Sequence, residues 1–146
     1  MKLVDLNVLL YATNEDSTQH AAALSWWENA LNGGESVALP WVVLLGFLRI
    51  ATNPRIFPHP LALDTALARI DVWLALDNVH IAREKDEHWD VLRDLLAASG
   101  MAGNLTTDAH LAALAICHDA TLVTFDADFA RFKGLRREIP AVRART

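Results

Sequence analysis

Four aspartates stand at positions in the sequence where carboxylates could act together. Asp5 ends the first short apolar run, KLVD, and Asp126 follows the last one, ATLVTF, with Asp128 two residues further on. Asp108 falls in the first turn of a long apolar segment with helical character. Ligands of open α/β sheets bind outside the carboxyl ends of the strands. The sequence therefore predicts that these four acids meet at one edge of a sheet.

Carboxylates brought together raise each other's pKa unless a cation compensates their charge. Mg²⁺ suits such a cluster, because it binds one or two carboxylates, keeps several waters and shares other positions with phosphate oxygens. The chemistry that follows is metal-assisted hydrolysis of a phosphodiester. The sequence contains neither a Walker loop nor a GxGxxG motif, so nothing supports a nucleotide cofactor.

Each aspartate taken singly also fits an ordinary role as a helix cap or turn residue. Their joint placement between very apolar flanks, as in LVDLNVLLY and TLVTFDADF, favours a shared site. An aspartate among buried apolar residues costs free energy unless it is paired.

Short β-type runs alternate with longer helical segments along the chain. The runs are at residues 2–5, 36–39, 78–82 and 120–125, and the helical segments are at 17–32, 40–53, 60–76, 85–99 and 107–118. This alternation is typical of an α/β fold in which helices cover both faces of a parallel sheet. The last helical segment is apolar on nearly every side, so we expect it to be buried centrally.

Length and composition indicate one folded domain. The chain has 146 residues and 53% apolar residues, which favours a single domain over 1–146 and excludes a disordered chain. The lone Cys117 permits no internal disulfide, so we expect a reducing, cytoplasmic setting. The longest apolar stretch, 37–48, is interrupted by Pro40 and Gly46 and is too short to cross a bilayer, so no membrane partner is expected.

Charge is unevenly distributed along the chain. The net charge of −5 argues against a general basic surface for nucleic acid. However, six of the 13 basic residues lie in the C-terminal segment 131–146, which contains one acid. This basic segment could contact a polyanion, or it could be an ordinary solvated C-terminus.

The sequence resembles the PIN-domain ribonuclease toxins of the VapC type. The motifs that carry the resemblance are VDLNVLLYA (4–12), LPWVVLLGFLRIATNPRIFPHP (39–60) and TTDAHLAALAICHDATLVTFDADFARF (106–132). The resemblance implies a PIN-like three-layer α/β/α sandwich with a central, mainly parallel sheet of four or five short strands. It also implies an endoribonuclease dependent on Mg²⁺ or Mn²⁺, usually homodimeric, and inhibited by a VapB antitoxin whose C-terminal segment covers the active-site groove.

The same resemblance assigns roles to individual residues. The catalytic, metal-binding acids are Asp5, Asp108 and Asp126, accompanied at the metal by Asp128. Asn7 and Thr124 match small polar residues that orient these carboxylates, although Asn7 fits a helix cap equally well. We expect RNA phosphates to be contacted by Arg49, Arg55, Arg131 and Lys133. Arg49 also fits a second role, as the partner of a site carboxylate.

Gly46 departs from the family pattern. The family commonly has a glutamate three residues before an arginine in the helix after the second strand, and here Arg49 is preceded by Gly46. We therefore expect one well-bound ion, held by Asp5, Asp108 and either Asp126 or Asp128. The alternative is a catalytically degenerate PIN module that binds RNA or antitoxin without efficient cleavage. A phosphohydrolase of soluble esters is a third hypothesis, disfavoured because no nucleophile-and-lysine set accompanies Asp5.

Histidines and tryptophans are further candidates for binding a metal ion or a protein partner. The six histidines include none paired with another at metal-ligand spacing, and His110 fits a core or edge position. Trp26 and Trp27 are adjacent and cannot both face one core, so one of them is a candidate for a partner contact.

Overall fold

The computed structural model describes residues 1–142 of the chain. Two bases of the predicted basic segment, Arg143 and Arg145, lie outside the described residues. One fully parallel sheet forms the centre of the fold, with strands in the order β3-β2-β1-β4-β5. The strands are β1 (Lys2–Val4), β2 (Val37–Leu39), β3 (Val79–Ile81), β4 (Thr121–Val123) and β5 (Arg136–Glu138).

Helices cover the sheet on both faces. They are α1 (Leu6–Thr13), α2 (His20–Asn32), α3 (Trp41–Ala51), α4 (Leu63–Leu74), α5 (His88–Ser99) and α6 (Thr106–Cys117). Contacts run from α1 to α2 and α3, from α3 to α4, and from α5 to α6. Right-handed crossovers place the first group on one face and the second on the other. The predicted α/β/α sandwich is therefore confirmed, with five strands that are all parallel.

The core explains why the short strands and α6 form as predicted. All three residues of β2 are buried. Leu3 and Val4 of β1 and Leu122 and Val123 of β4 are buried as well. The run Leu111–Ala115 of α6 is also buried. The expectation that this helix lies centrally is confirmed.

Several helices begin about one turn later than their sequence predicts. α2 starts at His20 rather than at residue 17, because the Ser17 hydroxyl accepts a hydrogen bond from the Gln19 amide and closes a turn there. α4 and α5 likewise begin at Leu63 and His88 instead of residues 60 and 85.

Two elements are absent from the sequence-based prediction. α1 follows β1 directly, within an apolar run that gives no boundary signal except Asp5 itself. β5 forms inside the segment predicted to be a basic tail, where Arg136–Glu138 pairs with β4. The interpretation of the segment as an ordinary solvated C-terminus is therefore wrong for these residues, which belong to the sheet, whereas contact with a polyanion stays a prediction.

The chain changes direction across the sheet between β1 and β4. β2 and β3 follow on one side of β1, whereas β4 and β5 extend the other side. The crevice at such a switch point, outside the carboxyl ends of the strands, is where open α/β sheets bind ligands. Asp5 follows β1 and Thr124 follows β4, so both side chains belong to this crevice.

None of the helices within residues 1–142 is both long and apolar enough to cross a membrane.

Candidate functional site

Asp5 links the end of β1 to the start of α1. Its backbone N–H donates to the Val123 carbonyl of β4 (3.0 Å). As N-cap of α1, its Oδ1 accepts from the Leu6 amide (2.7 Å), while Oδ2 accepts from the Thr124 hydroxyl (2.7 Å). The side chain is buried, with 8% of the residue exposed. Burial raises the pKa of Asp5, the two hydrogen bonds oppose that rise, and the charge of Asp126 adds to it.

The hydroxyl of Thr124 connects the ends of β1 and β4. The fully buried Oγ1 donates to Asp5, and it accepts from Asn7 Nδ2 (3.3 Å) and from the Asp126 amide (3.0 Å). One donor and two acceptor positions are all that a hydroxyl offers, and all three are used. Thr124 therefore fixes the orientation of Asp5 and the backbone that leads to Asp126.

Asn7 contacts the site and is not a helix cap. It lies inside α1, whose N-cap is Asp5, so the capping interpretation of Asn7 is wrong. Its amide nitrogen donates to Thr124, and its amide oxygen accepts from the Phe125 backbone N–H (3.3 Å). The side chain connects α1 to the end of β4.

Asp126 and Asp128 open a short 3₁₀ helix, Ala127–Arg131. Asp126 is its N-cap, and its Oδ1 accepts from the Asp128 amide (2.8 Å). Asp126 is half-buried and Asp128 is exposed. Asp126 thus has a local capping role as well as a place beside Asp5.

The pKa of Asp108 is affected by the other three acids of the cluster. Asp108 lies half-buried in the first turn of α6. Burial raises its pKa to about 6, with further contributions from the negative charges of Asp5, Asp126 and Asp128, and Arg131 opposes the shift. The structure therefore brings the four predicted acids close enough together to affect the ionisation of one of them.

The donor set fits a hard cation in its chemistry. The four acids offer carboxylate oxygens, and oxygen ligands suit Mg²⁺ and Mn²⁺. No three His, Cys, Asp or Glu side chains within residues 1–142 converge into a ready-made metal cage. An ion bound here would use one or two of the carboxylates and complete its coordination with water, as Mg²⁺ commonly does. The residues able to hold it are Asp5, Asp108, Asp126 and Asp128.

Gly46 packs against the residue that follows Asp5. It is buried in α3, and a Cβ built on it would lie 2.7 Å from Leu6 Cδ2. The space in which a glutamate side chain would begin is therefore filled by the end of a leucine side chain.

The predicted phosphate-binding bases are placed differently from one another. Arg131 Nε donates to the Asp128 carbonyl (3.1 Å), and its guanidinium lowers the pKa of Asp108, so it belongs to the site. Arg49, Arg55 and Lys133 are exposed, and the structure gives them no ion pair in the part of the chain it describes. Pairing of Arg49 with a site carboxylate is therefore not observed.

The sequence does not predict a hydrogen-bonded pair of histidines that joins α5 to α6. His88 Nε2 and His110 Nδ1 are hydrogen-bonded at 2.9 Å, and His110 Nε2 is 3.6 Å from Glu84 Oε1. Burial lowers the pKa of His88, and the neighbouring His110 lowers it further. The pair joins α5 to α6 across 22 residues of sequence, a separation at which no spacing rule applies.

Comparison with known proteins places the chain in a family. The PIN domain family model matches residues 2–135. Ribonuclease VapC37 of Mycobacterium tuberculosis is 44% identical over 140 residues, covering 96% of this chain and 97% of that protein. Ribonuclease VapC33 of the same species is 40% identical over 136 residues, covering 93% of this chain and 95% of that protein.

The fold matches solved structures as well. The crystal structure of VapBC2 from Rickettsia felis, bound to a DNA fragment from its promoter, aligns with a TM-score of 0.69 at 19% identity. The alignment covers 96% of this chain and 98% of that chain. The sequence relatives and the shared architecture agree, and the chain belongs to the PIN domain family, among its VapC members.

Proposed function

We propose that the chain is a metal-dependent endoribonuclease toxin that cleaves RNA phosphodiester bonds with Mg²⁺ or Mn²⁺. The observation that carries the proposal is the cluster of four aspartates at the β1–β4 crevice, where Asp5 and Asp126 are both hydrogen-bonded through Thr124. Burial raises the pKa of Asp108, and the charges of Asp5, Asp126 and Asp128 raise it further. Such a cluster calls for a cation, and a cation between carboxylates binds phosphate oxygens. The ribonuclease relatives at 44% and 40% identity support RNA as the substrate.

The residues of the chain divide the work of the reaction. Thr124 and the Leu6 amide hold both oxygens of Asp5 in fixed directions. When bound, the ion supplies positive charge that stabilises the phosphate and activates water. Arg131 lies beside Asp108, where its guanidinium can contact a phosphate of the bound strand.

Cleavage assays test this function directly. The purified protein, freed of any antitoxin, should cleave a structured RNA with Mg²⁺ or Mn²⁺ and stop when EDTA is added. Asp5→Asn and Asp108→Asn should each lower the rate by at least about 100-fold, whereas Asp77→Asn, an exposed acid, should leave it unchanged. Cleavage that persists in both site variants would rule the proposal out.

The proposal includes a VapB-type antitoxin and a homodimer as partners. Trp41 and Leu45 lie one turn apart on α3 and are 49% and 59% exposed. Large apolar side chains grouped at a surface mark protein interfaces. Light scattering at micromolar concentration should give the mass of a dimer, and Trp41→Ser with Leu45→Ser should give a monomer. A wild-type monomer under these conditions would contradict the dimer.

A catalytically degenerate binding module is the second candidate, and Gly46 is the observation that favours it. The Leu6 side chain occupies the space of the missing glutamate, so the acid is restored best in the variant Gly46→Glu/Leu6→Ala. If the wild-type protein is degenerate, this variant should cleave RNA at least about tenfold faster in Mg²⁺. The Leu6→Ala single variant is the control. Equal rates for the wild-type protein and the double variant would exclude degeneracy as a consequence of Gly46.

A further inference from the structure

A shallow, solvent-open cavity lies between the segment that precedes α6 and Arg131. Its volume is about 400 Å³, within the range of small-ligand sites. The segment that lines it joins α5 to α6 and leads into the first turn of α6, where Asp108 lies. The lining residues are Met101, Ala102, Gly103, Asn104, Leu105 and Arg131.

Arg131 gives the cavity a positive edge. Its Nε is held by the Asp128 carbonyl at 3.1 Å, which fixes the guanidinium at the end of the 3₁₀ helix. Among the described residues no carboxylate forms an ion pair with it. A guanidinium with unused N–H groups binds phosphate in a bidentate manner. The cavity therefore combines one anion-binding group with proximity to the acids.

The rest of the lining suits a nucleobase. Met101 is 59% exposed and offers a polarisable, adaptable apolar surface for a planar ring. Asn104 is exposed and carries both a donor and an acceptor, as needed to bind a base edge. Gly100 and Gly103 have φ values of +71° and +56°, which L side chains rarely adopt, so these glycines permit the shape of the segment.

We infer that this cavity is a subsite for the nucleotide next to the scissile phosphate of a single-stranded RNA. Arg131 holds the phosphate of that nucleotide, while Met101 and Asn104 contact its base. The inference rests on the proposed ribonuclease function. It adds where the RNA strand lies and which residues contact its base. It makes the 101–105 segment a determinant of nucleotide preference at one position beside the cut.

Binding without turnover separates the phosphate contact from the base contact. The probes are a fluorescein-labelled RNA octanucleotide, the same RNA with single abasic positions, and inorganic polyphosphate as competitor, all in EDTA at low salt. Arg131→Gln should weaken both RNA and polyphosphate binding and reduce the salt slope by about one. Met101→Ala should weaken the intact RNA about fivefold and leave polyphosphate and one abasic RNA unchanged.

Arg69→Gln is the matched control for charge. Arg69 is an exposed arginine of α4, a helix that packs against α3 and β3, and its loss should change none of these affinities beyond the small effect of one distant charge. Met101 is also exposed, so Met101→Ala should leave the thermal unfolding midpoint unchanged. If both variants behave like Arg69→Gln, the subsite does not exist.

Cleavage specificity distinguishes this inference from the function on which it rests. On a pool of RNAs randomised around the cut, Met101→Ala and Asn104→Ala should relax the preference at one flanking position while cleavage continues. Continued cleavage with an unchanged preference would overturn the subsite alone, whereas absence of any metal-dependent cleavage by the wild-type protein would overturn the proposed function. If the variants weaken binding of an antitoxin but not of RNA, the cavity is a protein contact and the inference is wrong.

Discussion

The hydroxyl of Thr124 controls the site at the level of single residues. It contacts Asp5, Asn7 and the backbone of Asp126, so one buried group connects β1, α1 and the end of β4. Removing a hydrogen-bond partner from a buried polar group costs more free energy than the bond contributes, because the remaining group is left unsatisfied. Thr124 is a positioning residue, and its effect should appear in the ionisation of Asp5.

Thr124→Val should raise the pKa of Asp5 further, because the Thr124 hydrogen bond now opposes the effect of burial. The acid limb of the pH–activity profile should move to higher pH, and the free energy of unfolding should fall by about 1–3 kcal/mol. Thr124→Ser keeps the hydroxyl and should restore the profile. A serine variant whose acid limb matches that of the valine variant would show that the hydroxyl has no part in positioning Asp5.

Asp108 should make stability depend on pH when metal is absent. Its pKa in the folded protein is about 6, above the ordinary value of 3.8, so the charged form is disfavoured only in the folded state. Well below the ordinary pKa of 3.8 the carboxyl is neutral in both states, and Asp108→Asn should have nearly the stability of the wild-type protein. As the pH rises through 6, the wild-type protein should become less stable than the variant by roughly 1 kcal/mol, after allowance for solvent screening.

Urea unfolding in EDTA between pH 4 and pH 8 measures this difference. Asp77→Asn is the control, because it replaces an exposed carboxyl outside the site by the same amide. A stability gap between Asp108→Asn and the wild-type protein that stays constant over this range would contradict a raised pKa.

At the level of elements, local patterns predict the strands, while tertiary contacts decide several boundaries. The β-branched runs predict β1 to β4, and the apolar run of 107–118 predicts α6. These predictions succeed because buried elements are rich in apolar residues. α1 is not predicted, because apolar residues flank Asp5 on both sides and mark no boundary between strand and helix. The change from strand to helix depends on the N-cap formed by Asp5. β5 is chosen by pairing with β4 rather than by its charged sequence, RRE.

The same distinction applies to the site. The four aspartates are found from sequence because each follows a strand or begins a helix, and the topology brings them together. Contacts between residues far apart in sequence leave no local pattern. The hydrogen bond between His88 and His110, the close packing of Leu6 against Gly46 and the cavity beside Arg131 are all of this kind.

The packing of α3 against α1 is measurable through Gly46. Replacing a helix-interior glycine by alanine stabilises a helix by about 1 kcal/mol. Here the new Cβ would meet Leu6 Cδ2 at 2.7 Å, so displacement of the leucine should cancel that gain in the wild-type background. In a Leu6→Ala background the same Gly46→Ala change should recover it. A double-mutant cycle by urea unfolding should give a coupling of about 1 kcal/mol, and additive effects would show that the two side chains do not compete for space.

At the level of the whole molecule, contacts within the fold engage Arg136 and Glu138 of the C-terminal segment. Arg136 pairs with Asp119 at 2.9 Å, and Glu138 of β5 accepts hydrogen bonds from Lys2 of β1 (3.1 Å) and Trp26 of α2 (2.7 Å). Trp26 is therefore half-buried beside Trp27 and engaged within the chain. With a net charge of −5 and four acids at the crevice, the protein should bind RNA more weakly when no cation is present.

The negative charge of these acids predicts that one set of substitutions has opposite effects with and without metal. Replacing Asp5, Asp108 and Asp126 by asparagine removes three negative charges where the strand would lie, so in EDTA the variant should bind a short RNA about fivefold more tightly than the wild-type protein. In Mg²⁺ the order should reverse, because the triple variant keeps only Asp128 of the four carboxylates able to hold the ion. The control replaces Asp64, Asp71 and Asp77, three exposed acids, and changes net charge equally. Equal gains for both triple variants in EDTA would show that only net charge matters, and no reversal in Mg²⁺ would contradict a metal at the crevice.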